Sequence, residues 1–373
     1  MIHVEKLDKT SLGLKCFLEL PYRLYRKDKN WVPPMYDNLR RTLLGENNPL
    51  LTEDHEFFAA YDDDRLVGRV LAGVDTRLNE RIGEQRGYLS LFECENNVEY
   101  ARALLDAACE YLRGLAMTCV VGPNAPTLND FSKGLLYEGF DGEPTIFNPY
   151  NPSYYNDFWL ACGFKKHRDH YAYHLRIADF PIDSFQKLAE RAHNRFDFTA
   201  RCIDLRRADR RKLRADAARV IDEAFPPEWE LVPPTQQDIE DELNALQALA
   251  TSAIVVMAYS GERPIGLLTS FPDVNPLLKR NRGRLFPVGW LTMLFGFGKL
   301  KKARCNMLFV TPEYQNKAVS VALCLCAYEQ ARRLGIREVE ASTIDETNLR
   351  SVLNTERTGA KRYRVYRQYR KEL

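Results

Sequence analysis

No two cysteines in this sequence have CxxC spacing, and HExxH is missing as well, so the common signatures of a zinc site are absent. The nine cysteines (Cys16, Cys94, Cys109, Cys119, Cys162, Cys202, Cys305, Cys324, Cys326) are an odd number scattered through apolar surroundings. That pattern suits reduced, buried thiols in a cytoplasmic protein and not a disulfide framework. No run of about 18 apolar residues occurs, so no bilayer-spanning helix is expected. Residues Met1 to Leu7 alternate polar and apolar side chains, unlike a secretory leader. An excess of one charge is also lacking: 53 basic against 51 acidic residues leave a net +2, too little to gather nucleic acid over the whole surface. His167, His170 and His174 crowd together without acidic or thiolate partners and read as a polar strand face; no metal is expected.

What is present is the composition of a globular protein, 45% hydrophobic and 11% aromatic over 373 residues. That length suits two domains of about 100–200 residues each. An internal repeat supports the division. Ala60-Tyr61-Asp62-Asp63-Asp64-Arg65-Leu66-Val67-Gly68 returns as Ala258-Tyr259-Ser260-Gly261-Glu262-Arg263-Pro264-Ile265-Gly266, at an offset of 198 (258 less 60). The stretch from Gly163 to Tyr173 returns from Gly359 to Tyr369, at an offset of 196, and Leu115 to Val120 returns from Leu334 to Val339, at 219. The changes in offset place an insertion of 21 residues after the hairpin of the second copy and one of 23 late in the first. Each copy reads as strand, helices, hairpin, strand, long helix, strand, helix and strand pair, a mixed α/β class with a mostly antiparallel central sheet. The expected domains are 1–185 and 186–373, joined through residues 176–197. In the second copy the strand before the long helix is expected at Met307 to Val310, and that helix from Ala318 to Leu334, closed by Gly335.

Between that strand and helix, Val310-Thr311-Pro312-Glu313-Tyr314-Gln315-Asn316-Lys317-Ala318-Val319-Ser320 forms a polar turn. Backbone N–H groups at such a turn, with a helix dipole behind them, can cradle a pyrophosphate; an ordinary strand-to-helix connection has the same outline. The turn resembles the pyrophosphate motif of the GNAT acyltransferases, Q/R-x-x-G-x-G/A, as Gln315-x-x-Ala318-x-Ser320, with both glycine positions altered. Downstream, Asn348-x-x-Ser351-x-x-x-Thr355-x-x-x-Gly359-Ala360 follows the family spacing, with Thr355 where a tyrosine often serves as general acid. The whole chain is similar to a narrower set of bacterial tandem-GNAT proteins, some of which act as ceramide synthases. Trp31-Val32-Pro33-Pro34, Gly122-Pro123-Asn124 through Asn129-Asp130, Gly139-Phe140-Asp141, Tyr150-Asn151-Pro152-Ser153-Tyr154-Tyr155 and Pro287-Val288-Gly289-Trp290-Leu291 carry the likeness. The usual Glu-Cys after Asn-Asp is replaced by Phe131-Ser132-Lys133.

The resemblance implies two tandem GNAT-like domains and acyl-CoA as co-substrate, bound in the second copy by Leu308, Phe309, Val310, Gln315, Asn316, Lys317, Ala318, Val319, Ser320 and Asn348. Catalysis in that family is mainly positioning and stabilisation of a developing oxyanion. The attacking amine must also lose a proton, for which Glu340 and Asp345 are the local carboxylates, against a solvated strand glutamate and a helix-capping aspartate as ordinary readings. The first copy has Glu93-Cys94-Glu95-Asn96-Asn97 where phosphates would sit, and like charges oppose binding there. It is expected to shape the acceptor pocket, with Asn129, Asp130, Tyr150, Asn151, Tyr154 and Tyr155 as candidate contacts. The second-copy insertion holds 14 uncharged residues, Leu285 to Gly298, between Lys279, Arg280, Arg282 and Arg284 on one side and Lys299, Lys301, Lys302 and Arg304 on the other. Too short to span a bilayer, it suits an interfacial segment in which Trp290, Leu291, Leu294 and Phe295 meet lipid or acyl chain while basic flanks meet an anionic membrane surface. A core or acyl-pocket flap with a solvated basic rim is the other reading. The leading expectation is a cytoplasmic enzyme, peripheral to the membrane, that moves a long acyl group to a lipid-like amine such as a sphingoid base. Acetylation of a soluble amine and a non-catalytic acyl-CoA or lipid-binding module are the alternatives. No nucleic-acid partner is expected.

Overall fold

The computed structural model describes residues 1–46, 48–126, 133–287 and 289–373. Two compact units divide the chain, each drawn from more than one stretch: Met1–Tyr171 with Asn275–Met293 and Arg364–Leu373, and Ala172–Val274 with Leu294–Tyr363. Both have the mixed α/β, mostly antiparallel architecture that the alternation of elements implies.

The first stretch opens with β1 (Ile2–Lys6), α1 (Lys15–Leu24) and α2 (Tyr36–Leu43), followed by the hairpin β2 (His55–Asp62) and β3 (Arg65–Val74). After it come α3 (Thr76–Ile82), β4 (Arg86–Cys94), the long α4 (Val98–Gly114), β5 (Cys119–Asn124), β6 (Leu135–Glu138), α5 (Tyr154–Ala161) and β7 (Lys165–Arg176). The chain continues through α6 (Ile182–Phe196), β8 (Thr199–Cys202), α7 (Arg210–Ala224), α8 (Gln236–Ala248) and the hairpin β9 (Ile254–Ser260) and β10 (Arg263–Pro272). The insertion then carries α9 (Asn275–Arg280) and α10 (Gly289–Gly296). The second copy ends with β11 (Lys302–Val310), α11 (Val319–Arg333), β12 (Glu338–Asp345), α12 (Leu349–Arg357) and β13 (Lys361–Glu372).

The repeat seen in the letters is a repeat in register. Ala60 faces Gly68 across the first hairpin, and Ala258 faces Gly266 across the second. The long helix lies close over the strand at both glycines: a Cβ on Gly68 would stand 2.5 Å from Leu104 Cδ1 and force a shift, and one on Gly266 would stand 3.1 Å from Leu323 Cδ1 and Val319 Cγ1, a tighter than usual contact. In the first unit β1-β2-β3-β4-β5 are neighbours, antiparallel except for the parallel β4–β5 pair. In the second, β8-β9-β10-β11-β12 repeat the order, with β11–β12 the parallel pair.

Each sheet is covered on both faces. In the first unit Leu104, Leu105, Ala108 and Leu112 of α4 pack with Val67, Val70 and Ala72, while Phe17, Leu18 and Leu43 of α1 and α2 pack with Phe57 and Leu71. In the second, Val319, Ala322 and Leu323 of α11 meet Val256, Ala258 and Leu268, while Leu213, Val220, Ile239 and Leu246 of α7 and α8 meet Val255, Met257 and Leu267. Successive strand residues point to opposite faces, so an unbroken apolar run serves both layers.

The compact units do not coincide with a single cut near residue 185. The end of β13 joins the first unit, where Tyr369 faces Gly122 and Glu372 faces Cys119 of β5. Tyr369 is fully buried, its ring 5.7 Å from that of Trp159 and its hydroxyl donating to Asn156 Oδ1 at 2.8 Å. The start of the insertion joins the same unit. Asn275 Nδ2 donates to the Pro144 carbonyl at 2.7 Å, Tyr36 N to the Gly283 carbonyl at 2.9 Å, and the Arg284 guanidinium lies 4.5 Å from the Tyr36 ring. A short repeat match does not reveal such returns of the chain. Among the three histidines, His170 is buried against Gln368 at 2.7 Å, and His174, expected to lack an acidic partner, meets Glu338 at 3.2 Å. Tyr369→Ala should lower the unfolding free energy by about 3–5 kcal/mol, the usual cost of truncating a buried aromatic. Urea unfolding followed by Trp159 fluorescence, with the other tryptophans replaced, reads that loss in the first unit.

Candidate acyl-donor site in the second unit

The parallel pair β11–β12 stays in register for four residues, from Lys302 opposite Glu338 to Cys305 opposite Ala341, and then parts. Both strands run on, to Val310 and Asp345, leaving a gap between them. The pairing with β10 slips at the same place: Thr269 faces Met307 and Ser270 faces Cys305, so Asn306 is the extra residue of a bulge. The amide of Thr311 donates to Ile265 at 3.0 Å, on the β10 side. By alternation the backbone groups of Leu308 and Val310 face the side that β12 has left. Those of Phe309 face β10, and its ring packs with the α7–α8 layer. Strand β11 begins earlier than its apolar residues suggested because the fully buried Arg304 donates through Nε and Nη2 to the Ser342 carbonyl of β12, at 3.1 and 2.9 Å, just where the strands separate.

Above the gap lies the turn. Asn316 and Ala318 both adopt left-handed backbone, at φ 63° and 58°, and Ala318 is the N-cap of α11. Its methyl group accepts nothing, so the first N–H groups of α11, at Val319 and Ser320, meet no side-chain cap. Gln315 folds back, its Nε2 donating to the Val310 carbonyl at 3.1 Å while its Oε1 accepts from Arg350. The Lys317 ammonium lies 4.6 Å from the Tyr314 ring centre. Two cations, Lys317 and Arg350, therefore stand at an uncapped helix N-terminus, which suits an anion. Asn348 is committed locally, accepting from Ser351 N at 3.1 Å as the cap of α12.

The same place in the first unit is filled. The Tyr155 hydroxyl takes the Cys94 amide at 2.8 Å and donates to Glu93 at 2.8 Å; Tyr25 donates to the same Glu93 oxygen at 2.7 Å, and Tyr154 to the Cys94 carbonyl at 3.1 Å. Burial raises the Glu93 carboxyl, an effect opposed by Arg69 at 3.9 Å. Glu95 pairs with Arg23 at 2.8 Å and with Arg65, and Asn97 caps α4 by accepting Glu99 N at 3.0 Å. At the repeat offset of 196, Tyr154, Tyr155, Phe158 and Trp159 correspond to Arg350, Ser351, Asn354 and Thr355. The aromatic residues that close the gap in one copy are thus small or polar in the other.

Several expected site residues prove to have structural partners. Tyr155 is buried and Asn151 is buried, pinning both backbone groups of Leu136 at 2.7 and 3.3 Å. The Tyr150 hydroxyl donates to Asp28 at 2.8 Å. Asn129 and Asp130 lie outside the described residues. Glu340, expected as a proton acceptor, is fully buried: Ser342 and Tyr363 donate to its two oxygens, and Lys302 approaches to 3.7 Å. Asp345 takes the amide and hydroxyl of Thr347 at 2.9 and 2.7 Å, an ordinary turn role. A carboxylate that the motif reading missed stands nearer the gap. Glu242 of α8 accepts from Asn306 Nδ2 at 3.2 Å and from Thr269 Oγ1 at 3.3 Å, and burial pushes its carboxyl up to about 7. It belongs to no family spacing, and a polar residue in an amphipathic helix looks solvated until its neighbours are known. On α10, Trp290, Leu294 and Phe295 are 47%, 60% and 71% exposed. Among the described residues, no helix is long and apolar enough to cross a membrane, and no cluster of three or more His, Cys, Asp or Glu is placed to hold a metal ion.

Ala318→Gly should raise the unfolding free energy by up to about 1 kcal/mol by relieving left-handed strain, as read by urea titration. The Glu242 carboxyl keeps its proton to about 7 when folded, against 4.5 as the ordinary value. Ionising it therefore costs the folded state stability as pH rises between those values, with the full cost present above the higher one. Glu242→Gln should match the wild type in unfolding free energy below the lower value and exceed it at mildly alkaline pH.

Residues 217–359 match the model of the acetyltransferase (GNAT) family. The chain is 28% identical to Protein YghO of Escherichia coli over 390 aligned positions, covering 100% of this chain and 97% of that protein. It is 27% identical to a bacterial ceramide synthase of Caulobacter vibrioides, covering 98% and 96%. A solved tandem GNAT protein from the clavulanic acid biosynthesis pathway superposes with a TM-score of 0.59 at 12% identity, covering 100% of this chain and 98% of that one. The match over residues 217–359 places a GNAT acetyltransferase domain in the second copy, and the full-length superposition on a solved tandem GNAT protein shows the same fold along the whole chain.

Proposed function

We propose that the chain moves a long acyl group from coenzyme A to a lipid-like primary amine such as a sphingoid base. The contrast between the copies carries the reading. In the second unit the gap beside Leu308 and Val310 leads to an uncapped helix N-terminus flanked by Lys317 and Arg350, whereas tyrosines and carboxylates fill that place in the first. A coenzyme-A pyrophosphate fits the turn because helix dipole, N–H groups and two cations all favour an anion there. The pantetheine arm pairs with the open edge of β11, and its thioester reaches the place where β11 and β12 part. Pairing with a fixed backbone edge holds the carbonyl for attack and removes the cost of ordering it at each encounter.

Support for a lipid-like acceptor comes from α10 and from the full-length relative named a ceramide synthase. Phe286, at 74% exposure, extends the apolar surface of the helix, and Arg282, Arg284, Lys299 and Lys301 flank the segment. Rings lowered into the lipid boundary while cations meet anionic head groups would bring the enzyme to an amine that stays in the membrane.

Incubation with palmitoyl-CoA and a sphingoid base in anionic vesicles should release free thiol and form an amide detectable by mass spectrometry. Ser320→Trp, which crowds the first turn of α11, should abolish acyl-CoA binding by calorimetry as well as product. Exchange of Trp290, Leu294 and Phe295 for serine should reduce vesicle binding and turnover of the membrane-held amine by about tenfold or more, the equivalent of roughly 1.4 kcal/mol. Full activity of that triple variant on vesicles would remove the membrane role of α10.

A further inference from the structure

Glu242, partly buried beside the gap, has no part in holding the acyl donor. Among the described residues both of its hydrogen bonds end on Oε1, from Asn306 at 3.2 Å and Thr269 at 3.3 Å, and none reaches Oε2. Asn306 is the bulged residue at which β11 stops pairing with β12, and its own Oδ1 is buried without a partner among the described residues. A carboxylate and an unsatisfied amide oxygen thus meet at the apex of the gap. They lie on the α7–α8 face of the sheet, whereas the uncapped turn leads into α11 on the opposite face.

We infer that Glu242 takes the proton from the attacking amine, oriented by Asn306 and Thr269. The inference rests on the acyltransferase reading above. The acyl donor lies along the gap from the α11 side, and the amine approaches from the α8 side, so donor and acceptor meet across the sheet without competing for one channel. The ammonium gives a proton to Glu242 Oε2 and an N–H to Asn306 Oδ1. The freed nitrogen pair attacks the thioester carbonyl carbon, the C–N bond forms and the C–S bond breaks. The second nitrogen proton goes to the departing thiolate, giving free coenzyme A, and Glu242 returns its proton to water. A base is most effective when its pKa lies near the working pH, and burial has brought Glu242 to about 7.

Its own helix and its neighbours present few charges to it. On α8, Glu240 is paired with Arg214 of α7, and Asp238 is spent on the Thr235 cap. On α7, Asp216 accepts from Tyr259 at 2.8 Å with Lys212 at 3.4 Å. Strands β10 and β11 contribute the neutral Thr269 and Asn306, and Arg304 is turned to the Ser342 carbonyl. Burial and two neutral hydrogen bonds therefore set the titration.

The test uses the full chain with palmitoyl-CoA and a sphingoid base in vesicles. Wild-type turnover should rise with pH to a plateau above about 7, the value set by Glu242. Glu242→Gln, close in shape, should bind acyl-CoA as the wild type does but lose about 10²–10⁴-fold in kcat, together with the pH inflection. Glu242→Asp, one methylene shorter, should recover part of the rate and restore a titrating limb. The carboxyl 13C signal of labelled glutamate assigned by the Gln variant should titrate in step with the rate. If the wild type turns over and Glu242→Gln stays within about threefold with its inflection intact, Glu242 is not the acceptor and the acyltransferase reading survives. If the wild type releases no thiol with any amine, that reading falls and this one falls with it.

Discussion

The candidate site depends on one departure from regular pairing: two parallel strands that share a ladder from Lys302 to Cys305 and then separate while both continue. A central strand ordinarily has no backbone groups to spare, because both of its edges are taken. Here β10 holds one edge of β11 to its end, so the opening is confined to the other. Arg304 stabilises the fork. Its buried guanidinium bridges to the Ser342 carbonyl at the point of divergence, and the neighbouring Glu340, Ser342, Tyr363 and Lys302 make a polar network that keeps the strands from closing further.

The two copies show how one fold can offer or withhold the same opening. In the first, Tyr155 and Tyr154 occupy the amide and the carbonyl of Cys94 in β4, and Glu93 is held among Tyr25, Tyr155 and Arg69. In the second, α12 presents Arg350 and Ser351 instead, and among the described residues no side chain caps α11. The chemistry is consistent on each side. Carboxylates and a capped helix repel an anion; cations and an uncapped one attract it. A fold retained without its anion site can still serve as scaffold, and the first unit holds the start of the insertion that carries α10.

The exchange of glycines for Ala318 and Ser320 did not remove the turn. Ala318 keeps the left-handed backbone that a glycine would adopt without strain, so the geometry survives at an energetic cost, on the order of 1 kcal/mol. Thr355, in the place of the family tyrosine, lies on a helix whose counterpart in the first copy is rich in aromatic rings.

The repeated alternation of apolar residues, the paired Ala and Gly of the two hairpins and the long helix ending at Gly335 were enough, by themselves, to determine two tandem copies of one α/β fold. These features act through neighbours in the chain or through period, and so they are visible in the letters. The polar turn from Gln315 to Ser320 was legible for the same reason. Tertiary structure alone decided the rest: that Tyr155 fills a gap instead of facing a substrate, that Glu340 is sealed, that Tyr369 belongs to the first core, and that Glu242 stands beside Asn306. Each depends on which residues distant in sequence meet and how much water is left between them, and burial of that kind has no periodic trace.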